Sequence, residues 1–196
     1  AQREMFCTII RSLLPKVKTG KVVLIINVGD YKNVWEKLQE AIPELKKEAV
    51  FLDNDWEKTR FFAESLLSET TLINGIYGIY HADLFQAVYA TNLLMRGIDL
   101  MVTKPSELAF YPVPKLFIQR VGGHEKWGAI HGAEIGDGTI ECEKVEEIIQ
   151  LLDLLENDRK MIISMCECII ENKKNGIYDG AYKVVELATG TKREGN

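Results

Sequence analysis

The chain has 196 residues, 46% of them hydrophobic, and a formal charge of −5 at pH 7. That length fills one sizeable core or two small ones; with no Ser/Gly/Pro-rich linker the expectation is a single Rossmann-like domain over 1–196. The mild acidity speaks against nucleic acid as a partner, no stretch approaches the roughly 20 apolar residues of a membrane span, and AQREMFC lacks the apolar centre of a signal peptide. A cytoplasmic protein is expected.

Residues 2–14 have helical spacing and run into Pro15. KVVLIINV (21–28), bounded by Gly20 and Gly29, reads as a buried parallel strand. Residues 31–42 place Val34, Trp35, Leu38 and Ile42 on one helical face and stop before Pro43. EAVFLDN (48–54) reads as a strand, 56–67 as a helix, TLINGIYGIY (71–80) as a strand or strand-loop, and 83–95 as a helix ending at Gly97. IDLMVT (98–103) and KLFI (115–118) are the fourth and fifth strands. A short helix over 124–136 exits through glycine, amphipathic helices follow at 142–156 and 158–174, and a last one lies at 179–188. Five alternations of strand and helix, with connections too long for hairpins, predict a doubly wound α/β fold. It would be a Rossmann-like parallel sheet with helices on both faces and a C-terminal helical segment.

Cys7, Cys142, Cys166 and Cys168 show no CxxC spacing, and His81, His124 and His131 form no ligand set, so no metal site is expected. In an open parallel sheet ligands collect outside the carboxyl ends of the strands, where helix N-termini present unpaired N–H groups and about half a positive charge. The candidate loops are therefore 27–30, 74–78, 103–107 and 122–125. Glycine amides and Lys104 suit phosphate, and a carboxylate suits a ribose diol. Each signal has an ordinary reading beside it. Gly122-Gly123 equally makes a tight strand-to-helix turn, and Glu107 equally favours a helix dipole by about 0.3–1 kcal/mol. Lys104 reads equally well as a solvated side chain, and His124 as a cap or surface residue. GxGxxG, Walker A, GxSxG and HExxH motifs are all missing.

Together the elements and loops resemble the C-terminal, donor-binding domain of GT-B glycosyltransferases, in the branch of the diacylglycerol glycosyltransferases and the peptidoglycan-precursor N-acetylglucosaminyltransferase. That branch runs from its fourth strand into TKPGG-x-T-x-x-E, then a helix, a proline opening the fifth strand, and a loop like PGQEKENA. Here Thr103-Lys104-Pro105 stands for the first part, Glu107 lies seven residues before Pro114, and Gly123-His124-Glu125-Lys126 begins nine residues past it. Gly29-Asp30-Tyr31-Lys32-Asn33 is similar to the loop after the first strand. The likeness covers about 20–175, with 176–196 as crossing helix and tail.

The resemblance implies that Glu107 binds the ribose, that the backbone around Gly29 and the helix start at Ser106 face the pyrophosphate, and that His124 and Glu125 contact the sugar. The candidate nucleotide-sugar-binding set is Gly29, Asp30, Lys104, Ser106, Glu107, Gly122, Gly123, His124 and Glu125, with no catalytic residue assigned. The ligand would be a UDP-linked sugar as substrate, with no metal or resident cofactor. The chain would be the donor half of an enzyme transferring a hexosyl or N-acetylhexosaminyl group, inactive alone. An acceptor-binding domain would precede it, membrane contact would come only through that missing half, and a homodimer stays open. An apolar patch is expected on the last helix at Tyr182, Val184, Val185 and Leu187. The chain departs from the family pattern between Pro105 and Glu107, where Ser106 stands alone and the glycine pair is missing, and at Gly128, where the pattern has Asn. Those departures keep two alternatives open: a non-catalytic relative binding a ligand or partner, and a nucleotide-sugar epimerase-like protein.

Overall fold

The computed structural model describes residues 2–68 and 70–190, and it divides into two compact units, Ala1–Ile98 and Asp99–Asn196. Both are mixed α/β with parallel strands. Among the described residues no helix is long and apolar enough to cross a membrane.

The first unit runs α1 (Gln2–Lys18), β1 (Leu24–Asn27), α2 (Lys32–Ala41), α3 (Pro43–Glu48), β2 (Ala49–Asp53), α4 (Trp56–Ser65), β3 (Ile76–Tyr80) and α5 (Leu84–Leu94). Its ladder order is β1-β3-β2, all parallel, with Ile76 level with both Leu24 and Ala49, and Ile79 level with Asn27 and Leu52. The alternation of side chains sends Leu24, Ile26, Phe51 and Ile76 to α1, α2 and α3. Ile25, Leu52, Tyr77 and Ile79 face α4 and α5. Helices thus cover both faces of this ladder. On the first face Gly78 is required: a Cβ there would lie 2.5 Å from the Trp35 ring, which also stacks on Phe51 at 4.8 Å. Such a stack adds about 0.5–1.5 kcal/mol to the burial of two large rings.

Three local expectations need correcting. Helix α1 passes through Pro15 to Lys18. The proline leaves the Arg11 carbonyl without its usual donor, at about 3 kcal/mol in a helix interior. Leu14 and Val17 are nevertheless both buried in the core, and Thr19 N–H donates to the Pro15 carbonyl at 3.2 Å, so packing holds the last turn. A helix the sequence reading missed, α3, begins with Pro43 at its first position, where a missing N–H costs nothing. Val34 is 39% exposed and lies outside the buried face formed by Trp35, Leu38 and Ile42.

The second unit contains β4 (Met101–Thr103), a 3-10 turn (Glu107–Phe110), β5 (Lys115–Phe117), a second 3-10 turn (Gly123–Glu125), α6 (Lys126–Glu134), α7 (Val145–Asn157), α8 (Lys160–Lys174), a third 3-10 turn (Ile177–Asp179) and α9 (Gly180–Thr189). β4 and β5 pair in parallel, and single bridges Lys115–Gly138 and Ile118–Cys142 lay a third extended segment along β5. Phe117 is fully buried among Ala109 and Ala129, and Gly132 and Gly138 leave room for its ring. Beside it lies a charged pair with no exposure at all: Lys115 Nζ is 2.8 Å from Asp137 Oδ2 and donates to the carbonyls of Tyr111 and Val113. Burial alone pushes the lysine down and the carboxyl up, and their contact opposes both shifts. Tyr178 O–H donates to the same Asp137 oxygen at 2.9 Å.

Candidate functional site

At the carboxyl end of β1 the chain turns through Gly29, whose φ of +59° falls where glycine is favoured and whose missing side chain opens onto free space. Its N–H donates to Asn27 Oδ1 at 3.0 Å, and its carbonyl accepts from His81 N–H at 3.0 Å, tying the ends of β1 and β3 together. Asp30 follows, exposed. Helix α2 then starts with Tyr31 as N-cap, without a side-chain cap and without an acidic residue in its first turn. The two neighbouring helix starts are closed: Asp55 accepts from Lys58 N–H at 3.1 Å, and Asp83 from Gln86 N–H at 2.8 Å. Of these three N-termini, α2 alone lacks a side-chain cap. Lys32, its first residue, lies 2.6 Å from Asp53 at the end of β2 and 5.5 Å above the Tyr80 ring. The hydrogen bond to Asp53 holds its pKa above the usual lysine range.

The β3 end carries His81, 1% exposed. Its Nε2 is 3.0 Å from Thr59 Oγ1, which itself donates to the Asp55 carbonyl at 3.0 Å, so the ring is the donor in the first bond. Nδ1 has no hydrogen-bond partner among the described residues, although the Gln86 side chain lies close enough to favour a protonated ring. Burial outweighs that influence and lowers the pKa, which keeps the imidazole neutral. Trp56 meets His81 edge-on at 5.7 Å and stacks with Tyr89 at 5.5 Å. Asn54, with φ of 52°, is the one non-glycine residue with positive φ among the described residues; its Oδ1 accepts from Ala82 N–H at 2.8 Å. Strained backbone of this kind gathers at functional edges.

In the second unit the strand-end loops bring Lys104, Gly122 and Glu125 together. Glu125, 8% exposed, accepts from Lys104 Nζ at 2.7 Å through Oε1, and from Val121 N–H at 2.7 Å and Gly122 N–H at 3.2 Å through Oε2. The Lys104 hydrogen bond first, then that of Val121, lowers its pKa to about 2. Its carboxylate therefore fills the anion position at the start of the second 3-10 turn from inside the chain. His124 is exposed and its ring lies over Gly122; Gly123 faces open space. Ser106 is the N-cap of the first 3-10 turn without a side-chain bond, and Glu107 is exposed at its first position. Of the nine sequence-derived residues, Gly29 and Asp30 lie in the first unit and the other seven in the second.

Asp53, Asn54, Trp56, Thr59 and His81, which the structure gathers at the strand ends of the first unit, are not singled out as candidates by the sequence. The Asp53-Asn54-Asp55 run after β2 carried a usable signal, because three turn-forming polar residues there mark a strand end outside the core. Among the described residues no group of His, Cys, Asp and Glu could hold a metal ion.

A family model, Domain of unknown function (DUF6938), matches residues 1–189, and the chain belongs to that family. No curated protein and no solved structure matches the chain.

Proposed function

We propose that this chain binds a nucleoside diphosphate carried by a sugar, UDP-linked above all, as the donor side of a GT-B type glycosyltransferase. The observation that carries the reading is the uncapped start of α2 behind Gly29, with Lys32 at its first position. An uncapped helix start, a left-handed glycine turn and a cation suit a diphosphate, which would have to draw Lys32 away from Asp53. The finer fold reading, a doubly wound Rossmann-like domain, belongs to the same proposal. Helices on both faces of the first ladder support it; β3 lying between β1 and β2 departs from the usual 3-2-1 half. Transfer would take place only with an acceptor-binding domain, since holding acceptor and donor in line supplies roughly 7–11 kcal/mol of the barrier. A cytoplasmic location goes with this reading.

A second reading, a non-catalytic ligand-binding relative, is favoured by Glu125, which already occupies Lys104 and the Val121 and Gly122 amides. Titration with UDP, followed by amide chemical shifts, tests both. Shifts at Gly29 to Asn33 support nucleotide binding, and the same shifts with a UDP-linked sugar support the donor-side assignment. No shift anywhere at millimolar UDP overturns the nucleotide reading and favours the non-catalytic relative.

A further inference from the structure

His81 is all but fully buried, yet its Nδ1 has no hydrogen-bond partner among the described residues. The Thr59 hydroxyl donates to the Asp55 carbonyl and accepts from Nε2, so Nδ1 of the neutral ring is an acceptor. Buried polar atoms left unmet are few in native folds, and each calls for a partner. The backbone N–H of His81 donates to the Gly29 carbonyl, so the residue that carries this acceptor is tied directly to the strand-end turn.

The surroundings of the ring are aromatic. Trp56 meets His81 edge-on and stacks on Tyr89, which is half-exposed, and Phe85 stands exposed one turn earlier on α5. The carboxylates on the two neighbouring helix starts, Asp55 and Asp83, are N-caps bonded to the Lys58 and Gln86 amides. Their charge disfavours an anion beside the imidazole, whereas Lys32 and the α2 start favour one near Gly29. The Gln86 side chain, in the first turn of α5, is the polar group set against the ring from that helix. A ligand group suited to this place is uncharged, flat and equipped with an N–H donor. Uracil is such a ring, with its N3–H between two carbonyls; cytosine has a bare acceptor at the same position. Aromatic side chains and polar edges of this kind are how single bases are held.

We propose that His81 Nδ1 reads the base of the nucleotide, accepting the N3–H of uracil while the base lies against Trp56 and Tyr89. This assignment rests on the diphosphate reading of the α2 start and gives it a base preference. Gln86 has to turn aside from the imidazole to admit the base, and its amide then donates to a uracil carbonyl. Cytosine would set one lone pair against another, so uridine nucleotides are selected over cytidine nucleotides.

Calorimetry of the full chain with UDP, CDP, N3-methylated UDP and inorganic pyrophosphate tests this. UDP is expected to bind roughly tenfold tighter than CDP or the methylated ligand, as one hydrogen bond and one avoided repulsion would give. His81→Gln keeps a donor for Thr59 where Nε2 stood and removes the Nδ1 acceptor, so UDP should fall to the level of the other two. Tyr89→Ala, at an exposed position, should weaken all three nucleotides by at least about fivefold and leave pyrophosphate as it was. Equal affinity of the unaltered chain for UDP and methylated UDP overturns the proposal, as does a preference that survives His81→Gln. In either case, binding of UDP and pyrophosphate leaves the diphosphate reading standing. Failure of both to bind overturns that reading and the base assignment with it.

Discussion

Glu125 and Lys104, 21 residues apart, are each other's partner at 2.7 Å, with the glutamate buried and the lysine half-exposed. Two groups that suit a ligand when taken singly are thus joined as a capping carboxylate and its counter-ion. The pair fixes the turn from Val121 to Glu125 by using donors that a phosphate would otherwise take.

Loss of that carboxylate should loosen the turn. Glu125→Ala is expected to lower stability by about 1 kcal/mol, in the range of a lost helix cap, and to broaden the Val121 and Gly122 amide signals. The pKa in the fold is about 2, below the ordinary carboxyl range, so this contribution is fully present above the unfolded value near 4.5. It fades as pH falls towards 2. Urea melts of wild type and variant at pH 6 and pH 3 measure it; an equal gap at both pH values rules it out.

His81 titrates in the opposite sense to a salt-bridged histidine. Its pKa is lowered by burial, so the unfolded chain binds its proton more readily than the fold does. Stability from the neutral ring is complete above about pH 6.5 and declines as pH drops below it, towards the folded pKa. Thermal melts between pH 5 and 8 should show a falling midpoint on the acid side. His81→Gln should flatten that slope. A slope that persists in the variant assigns it to other groups.

Glu107 and Lys32, one in each unit, test two alternative places for the nucleotide. Glu107→Ala should weaken UDP roughly ten- to a hundredfold if its carboxylate accepts two ribose hydroxyls, and should leave a 2′,3′-dideoxy analogue unaffected. Lys32→Ala should weaken UDP roughly tenfold and uridine hardly at all, since its charge would meet phosphate. Calorimetry with the three ligands decides. Unchanged UDP affinity in the Glu107 variant leaves that residue as an exposed turn charge.

The Lys115–Asp137 pair should be intolerant of halving. Removing one charge strands the other without water, so Lys115→Met or Asp137→Leu is expected to cost about 3–5 kcal/mol, whereas the two together should cost less than either. Chemical denaturation of the three variants gives the comparison. An additive double variant would mean that the charges do not depend on each other.

Much of the fold was legible because its signals are local. The period of the apolar positions and Gly29 and Gly97 behind core segments each act within a few residues. Pro15 misled because its local penalty competes with burial of Leu14 and Val17 in the core, which no short window reveals. The ladder order was hidden for a similar reason, since pairing of β3 with both β1 and β2 depends on which faces pack. In the site, Gly29 was readable as a strand-end turn. His81 looked like any histidine after a strand; what distinguishes it is enclosure by Thr59 and Trp56 from another helix. Lys115 opens the strand KLFI, and nothing in those four residues announces that its ammonium is sealed against Asp137.

The bond from Tyr178 to Asp137 spans 41 residues and closes the back of the second unit late in the chain. During synthesis, β5 and the Asp137 turn leave the ribosome well before their last hydrogen-bond donor does. For that interval the aspartate has Lys115 as partner but lacks the phenol, and the region should breathe more readily than the finished fold. Nascent chains stopped shortly before Tyr178 would then be cut by protease around 136–142, and those extended beyond it would resist. On this account, closure around Asp137 waits for Tyr178 to clear the ribosome.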